Sequence, residues 1–313
     1  GKSREGSQER VDLKKVMKWG AAVFAAVVLA GTGLFFWIVI DDEIKFASVA
    51  DEEELVDALI ENFSTGQESV ILWTRGFKID REQIASYVSS EISNDAEDMC
   101  IMPVSYTVGL FDFAGLWQFR LYYAEDGHSD TPGDNGENLG EKTALSYTAE
   151  DVETAQMQVS AALDQIVPQI RETAGDDEIS MHKAIFEYLC ENVSYDYELS
   201  DAIISGDTGN PLRKNRGCYG ALIQKETVCS GYAGAYKAIC DRLGLDCWGA
   251  ESADHAWNLV RLKDGRIFCV DATSGDQDTW IADQFFLISP QEYEAEYGYR
   301  VSDNCYIPPR FQS

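Results

Sequence analysis

The chain has 313 residues, 45% of them hydrophobic, and carries 54 acidic against 25 basic side chains, a formal net charge of −29. That hydrophobic content argues against a disordered chain, and the length allows one or two domains with their own cores. The acidic balance argues against nucleic acid as a partner, because the folded body would repel it.

The charge is uneven. Residues 1–18 hold six of the basic residues (Lys2, Arg4, Arg10, Lys14, Lys15, Lys18) against three acids, which leaves a net of −32 for the remainder. Residues 19–40, WGAAVFAAVVLAGTGLFFWIVI, follow without a single charge. At about 1.5 Å per residue they are long enough to span a bilayer core of about 30 Å. Trp19 and Trp37 stand near the two ends, where indoles favour the lipid interface. Lys14, Lys15 and Lys18 precede the run and Asp41, Asp42 and Glu43 follow it. The positive-inside rule then predicts a cytoplasmic tail (1–18), a single transmembrane helix (19–40) and an extracellular remainder. The run is too long for the apolar core of a signal peptide. Ala22, Ala26 and Ala30 share one helix face, on which two anchors can pack as a dimer.

The eight cysteines suit an extracellular location, where disulfides survive. Cys240 and Cys247 are close enough in sequence to bridge. There is no CxxC pair and no His-rich cluster, so no metal site and no cofactor is expected.

Residues 41–148 read as a small α+β domain. Leu55, Leu59 and Phe63 make a helical stripe, 68–75 reads as a strand, and 79–92 as a second helix. The segments 101–109 and 115–123 alternate as strands, with Trp117, Phe119, Leu121 and Tyr123 on one face. His128 sits in a Gly/Asp/Asn-rich loop, and 143–148 reads as a further strand. From 149 onward the pattern turns helical. Residues 149–174 carry Val152, Met157, Val159, Ala162, Ile166 and Ile170 as apolar positions, with Pro168 placed to kink or split the helix. A second helix covers 177–193, and His182 on it reads as structural. The stretch 200–217 is polar and turn-rich, a loop in position to wall a groove.

The chemistry concentrates in residues 227–273. Cys229 opens an Ala-rich helix that ends at Gly244, with Thr227 as its expected N-cap. A thiolate is the reactive form of cysteine, and the first turn of a helix favours an anion. His255 opens the strand HAWNLVRL, Lys263–Arg266 reads as a hairpin turn, and Asp271 closes the return strand. Pairing about a turn at 264–265 would set Asn258 opposite Asp271, with His255 a few residues further along. Cys, His and Asp in this order suit a nucleophilic triad. Cys229 is the nucleophile, His255 the base and later the acid, and Asp271 the group that orients the imidazole. Oxyanion stabilisation is expected from the Cys229 backbone N–H, with Tyr232 and Trp257 as candidates for a second donor.

The stretches TVCSGYAGAYKAICDRLGLDC, HAWNLVRL and GRIFCVDAT resemble the transglutaminase-like superfamily, of the bacterial membrane-anchored type, whose members share a papain-like thiol arrangement. KAIFEYLCENVSYDYE (183–198), GALIQKETVC (220–229) and FFLIS (285–289) resemble the segments around that core. The resemblance covers about 150–300 and implies an α+β fold for 149–313, with the Cys at a helix start packed on an antiparallel sheet that carries the His and Asp. It maps the family nucleophile, base and orienting acid to Cys229, His255 and Asp271. The chain departs from many relatives in lacking a Trp soon after Asp271. The implied activity is that of a thiol enzyme on amide bonds of protein or cell-wall peptides. It forms a thioester that is resolved by water, as in a protease or amidase, or by an amine, as in a transglutaminase. The alternative is a non-catalytic peptide-binding or envelope scaffold module using the same groove.

Overall fold

The computed structural model describes residues 149–312 almost without a break, 207–210, 278–279 and 303–304 excepted. Of the preceding part it describes 45–63, 69–74, 87–101, 105–108 and 116–122, isolated positions excepted. The apolar run 19–40, His128, the strand expected at 143–148 and the start of the helix expected at 79–92 lie outside the described residues. Among the described residues no helix is long and apolar enough to cross a membrane. Residues 47–313 form one compact unit.

The first sheet collects β1 (Lys45–Val49), β2 (Ser69–Thr74), β3 (Ser105–Val108) and β4 (Leu116–Tyr122), in the order β1-β2-β4-β3. β2 and β4 are antiparallel, with Leu72 opposite Trp117 and Val70 opposite Phe119. Helix α1 (Glu52–Phe63) buries Leu55 and Leu59, as its four-residue stripe requires.

Helix α2 (Ala149–Ala174) runs as one element through Pro168, so of the expected kink or split the split does not occur. Its buried face is Val152, Ala155, Val159, Leu163, Ile166 and Ile170. Met157 lies two residues off that stripe and is 60% exposed, so it is not a core position. Helix α3 (Glu178–Asn192) is capped by Asp177, whose carboxylate accepts from the Ser180 N–H at 2.8 Å.

The loop expected at 200–217 is partly helical. Helix α4 spans Tyr197–Ile204, and a 3₁₀ turn spans Pro211–Arg216. Asp196 caps α4 through the Leu199 N–H at 2.8 Å, and Leu199 and Ala202 go inside. Two short parallel strands, β5 (Ser194–Tyr195) and β6 (Glu226–Thr227), lead to α5 (Cys229–Leu243). Helix α5 ends on Gly244, whose positive φ of 73° permits the left-handed C-cap. Behind it lies the antiparallel sheet β7 (Cys247–Glu251), β8 (Ala256–Arg261) and β9 (Ile267–Val270), in the order β7-β8-β9. Helix α6 (Ala272–Gly275) and helix α7 (Pro290–Tyr297) follow. The mixed α+β character and the helix-on-sheet arrangement are those expected for 149–313.

Polar contacts fasten the segment around Ser90–Cys100 to this body. The Asn94 side chain accepts from the Gly249 N–H at 2.5 Å, the Cys218 thiol donates to the Ala96 carbonyl at 2.8 Å, and Arg242 pairs with Glu97. All eight cysteines are free thiols, so Cys240 and Cys247, both buried, are neighbours without a bridge.

Candidate functional site

Cys229 is the first residue of α5, half-buried, and therefore reachable from solvent. The N-cap is Val228 and no side chain caps the helix, which corrects the expectation for Thr227. Thr227 is fully buried and donates its hydroxyl to the Asn215 carbonyl instead. Its place is fixed by Gly231, where a Cβ would fall 1.9 Å from the Thr227 hydroxyl oxygen. Ser230 donates to the Arg216 carbonyl at 2.8 Å, and the buried Asn258 amide on β8 donates to the Ala233 carbonyl at 3.0 Å. The start of α5 is thus tied to the preceding loop on one side and to the sheet on the other.

His255 stands just before β8. A turn holds it there: the Ser252 N–H donates to the His255 carbonyl at 2.8 Å, and the His255 N–H donates to the Ser252 hydroxyl at 3.1 Å. The β8–β9 register sets Asn258 opposite Val270, one residue away from the expected pairing. The reason is the turn. The Leu262 N–H donates to the Arg266 carbonyl at 2.9 Å, closing a three-residue loop in which Gly265 takes a φ of 88°. A one-residue change of register flips side chains to the other face. The observed register, extended past the strand ends, brings positions 255 and 271 to the same side of the ribbon; the expected one would have separated them.

The result is a direct contact. His255 Nε2 donates to Asp271 Oδ2 at 2.9 Å, with the imidazole 9% exposed and the carboxylate wholly buried. Asp271 directly follows β9 and caps α6, its Oδ1 accepting from the Ser274 N–H at 3.0 Å. A further donor arrives from α7, where the Tyr293 hydroxyl donates to Asp271 Oδ2 at 2.7 Å. Sequence reading missed Tyr293, because it lies 22 residues beyond Asp271 in a helix of weak amphipathic pattern.

The electrostatics follow from these contacts. Burial works against the charged imidazole, but the Asp271 carboxylate, through its hydrogen bond and its charge, outweighs it with help from the adjacent Cys229 and holds His255 up at about 10. Burial likewise works against the Asp271 carboxylate. The His255 and Ser274 hydrogen bonds overcome it and keep the carboxyl below its ordinary range. With Nε2 committed to Asp271, Nδ1 is the nitrogen left for the thiol. The three residues singled out in the sequence are therefore brought together.

Neither candidate second oxyanion donor is available for that role. The Tyr232 hydroxyl donates to Asp276 at 2.6 Å, and the Trp257 indole N–H is fully buried, out of reach of a substrate oxygen. His182 is buried away from this site against Tyr236, in line with a structural role. Aromatic rings frame the site. Tyr299 lies on the imidazole with ring centroids 4.4 Å apart, and Tyr195, paired with Thr227 across β5–β6, meets Tyr197 edge-on at 5.0 Å. An open cleft of about 480 Å³ is lined by Asp254, Tyr297, Tyr299 and Arg300 among others.

No protein-family profile matches the chain. Over 158 residues it is 28% identical to kyphoscoliosis peptidase of Mus musculus, covering 44% of this chain and 22% of that protein. Over 144 residues it is 26% identical to kyphoscoliosis peptidase of Homo sapiens, covering 40% and 20%. The chain thus spans about a fifth of the length of these relatives. A solved TGase structure aligns over 72% of this chain and 58% of its own, at 13% identity and a TM-score of 0.33.

Proposed function

We propose that the chain is a membrane-anchored thiol peptidase of the transglutaminase-like kind, acting outside the cell through Cys229, His255 and Asp271. The observation that carries this reading is the buried Asp271–His255 pair, with Cys229 beside the imidazole at the start of a helix. The relatives named as peptidases support hydrolysis as the outcome. The uncharged run 19–40 supports the anchor, and the basic tail before it supports the orientation.

In this mechanism the Cys229 sulfur attacks the amide carbonyl carbon, forming a C–S bond and moving the carbonyl electron pair onto oxygen. The first-turn N–H of Cys229 has no partner within its helix and faces this negative charge. His255 holds the proton the thiol gives up. As the C–N bond breaks, Nδ1 passes that proton to the departing amine, leaving a thioester. His255 then takes a proton from water, the hydroxide adds to the thioester carbonyl, and the C–S bond breaks to restore Cys229. Asp271 keeps Nε2 bonded throughout, so the ring cannot turn away.

The test uses the 313-residue chain in detergent with a protein substrate and a labelled primary amine. Fragments without label are expected. Incorporation of the amine would indicate acyl transfer through the same thioester. Iodoacetamide should alkylate Cys229 faster than the other seven cysteines, and more slowly after His255→Ala. Uniform slow alkylation with neither product would favour a peptide-binding module and overturn the enzyme reading.

A further inference from the structure

We infer that Tyr293 is a positioning residue, whose hydroxyl holds the Asp271 carboxylate in the orientation that His255 needs. This rests on the thiol-enzyme reading above. Three donors meet the carboxylate: the Ser274 N–H at Oδ1, and both His255 Nε2 and the Tyr293 hydroxyl at Oδ2. Two donors on one oxygen, with the third on the other, fix the carboxylate plane. Without Tyr293, Oδ2 would keep the imidazole alone, and the carboxylate would lose one of its supports in a site closed to water.

Tyr293 is itself held rigidly. It is 1% exposed, and its ring packs against Trp257, Tyr297 and Tyr299 with centroids 5.3, 5.8 and 5.6 Å away. Helix α7, which carries it, starts on a capping box between Ser289 and Glu292 with Pro290 at its first position. The segment before it is joined to β9: Ile288 and Cys269 exchange backbone hydrogen bonds of 2.8 and 3.1 Å, and the Asp271 N–H donates to the Phe285 carbonyl at 3.0 Å. The chain therefore delivers the phenol to the carboxylate from an element fastened to the same strand that delivers the carboxylate. A phenylalanine would fill the aromatic cluster equally well. The hydroxyl adds only its hydrogen bond, and a buried hydroxyl is costly unless it is so spent. Burial and the adjacent Asp271 charge push the Tyr293 phenol up from its ordinary value, so it remains a donor wherever the enzyme would work.

Removing the hydroxyl leaves Asp271 a stronger acceptor for the imidazolium, because one competing donor is gone. His255 should then keep its proton to higher pH. The experiment is site-resolved iodoacetamide alkylation of Cys229 across pH 5–11 in the 313-residue chain, for wild type, Tyr293→Phe, Asp271→Asn and the double variant. In Tyr293→Phe the alkaline inflection due to His255 is expected to move up by about half a pH unit, the size of one modest hydrogen bond. The same substitution should move nothing in the Asp271→Asn background, since the effect passes through the carboxylate. Tyr293→Met also lacks the hydroxyl and serves if the Phe variant does not fold. An unshifted Tyr293→Phe profile, with or without a lower melting temperature, would overturn the proposal and leave Tyr293 a packing residue. So would an equal shift in both backgrounds. Failure of the underlying reading looks different: wild-type Cys229 would then show no preference over the other cysteines and no response to His255→Ala.

Discussion

Two buried imidazoles in this molecule have opposite fates. His182 on α3 and His255 before β8 are both removed from water, which by itself penalises the charged ring. At His182 nothing opposes that penalty. Its Nδ1 meets the neutral Tyr236 hydroxyl at 2.9 Å, its Nε2 has no hydrogen-bond partner among the described residues, and burial lowers it to about 4. At His255 an ionised carboxylate accepts from Nε2, with Cys229 close by, and the ring is held at about 10. Burial alone makes a neutral structural histidine; burial together with a desolvated carboxylate makes a charged one. The chemistry of the site comes from the partner and not from the depth.

The comparison breaks most severely at the active pair. His255→Ala should lower turnover by about a hundredfold or more, the usual range for a positioned acid–base group. His182→Phe should leave turnover and Cys229 alkylation unchanged. Steady-state peptide hydrolysis compares the two. Asp271→Ala should cost about 3–5 kcal/mol of stability, because it strips the partner from a buried charged imidazole. Urea denaturation measures this.

The two rings also act on stability at opposite ends of the pH scale. His255 is raised in the fold, so its contribution is fully present below the unfolded value of about 6.5 and is lost as pH rises through about 10. His182 is depressed, so its contribution is present above about 6.5 and is lost as pH falls through about 4, on the order of 3 kcal/mol in all. NMR titration of the imidazole carbon-bound protons should show one ring titrating near each end. In the His182→Phe variant the acid-side loss should shrink while the alkaline-side loss stays. The smallest expected effect is the stability cost of that variant at neutral pH, about 1 kcal/mol, from the hydrogen bond lost at Tyr236. Thermal melting should resolve it.

Much of the site was legible because its signals are local. Cys229 follows a short polar segment and opens an alanine-rich helix that stops at Gly244, and each of those signals works over a few residues. The Lys263–Arg266 turn announces itself in the same way. Local signals failed where a tertiary partner decided the outcome. Thr227 has the chemistry of an N-cap, but Gly231 presses against it and its hydroxyl goes to Asn215. Residues 200–204, the start of the stretch that reads as a polar loop, are helical because Asp196 caps the helix ahead of them and Leu199 finds the core.

By itself the sequence determined the order and kind of the reactive residues, the acidic balance, the uncharged run at 19–40, the helix that carries Cys229 and the strand that follows His255. Composition and short-range periodicity suffice for these, since backbone preference and side-chain burial act within one element. The tertiary structure decided the register of the hairpin, and with it the face that His255 and Asp271 share. It also decided the third donor on Asp271, which comes from Tyr293 on α7. These contacts join residues 16 and 22 positions apart. A single side chain's hydrogen bond leaves no period in the sequence, so only the packed chain reveals it.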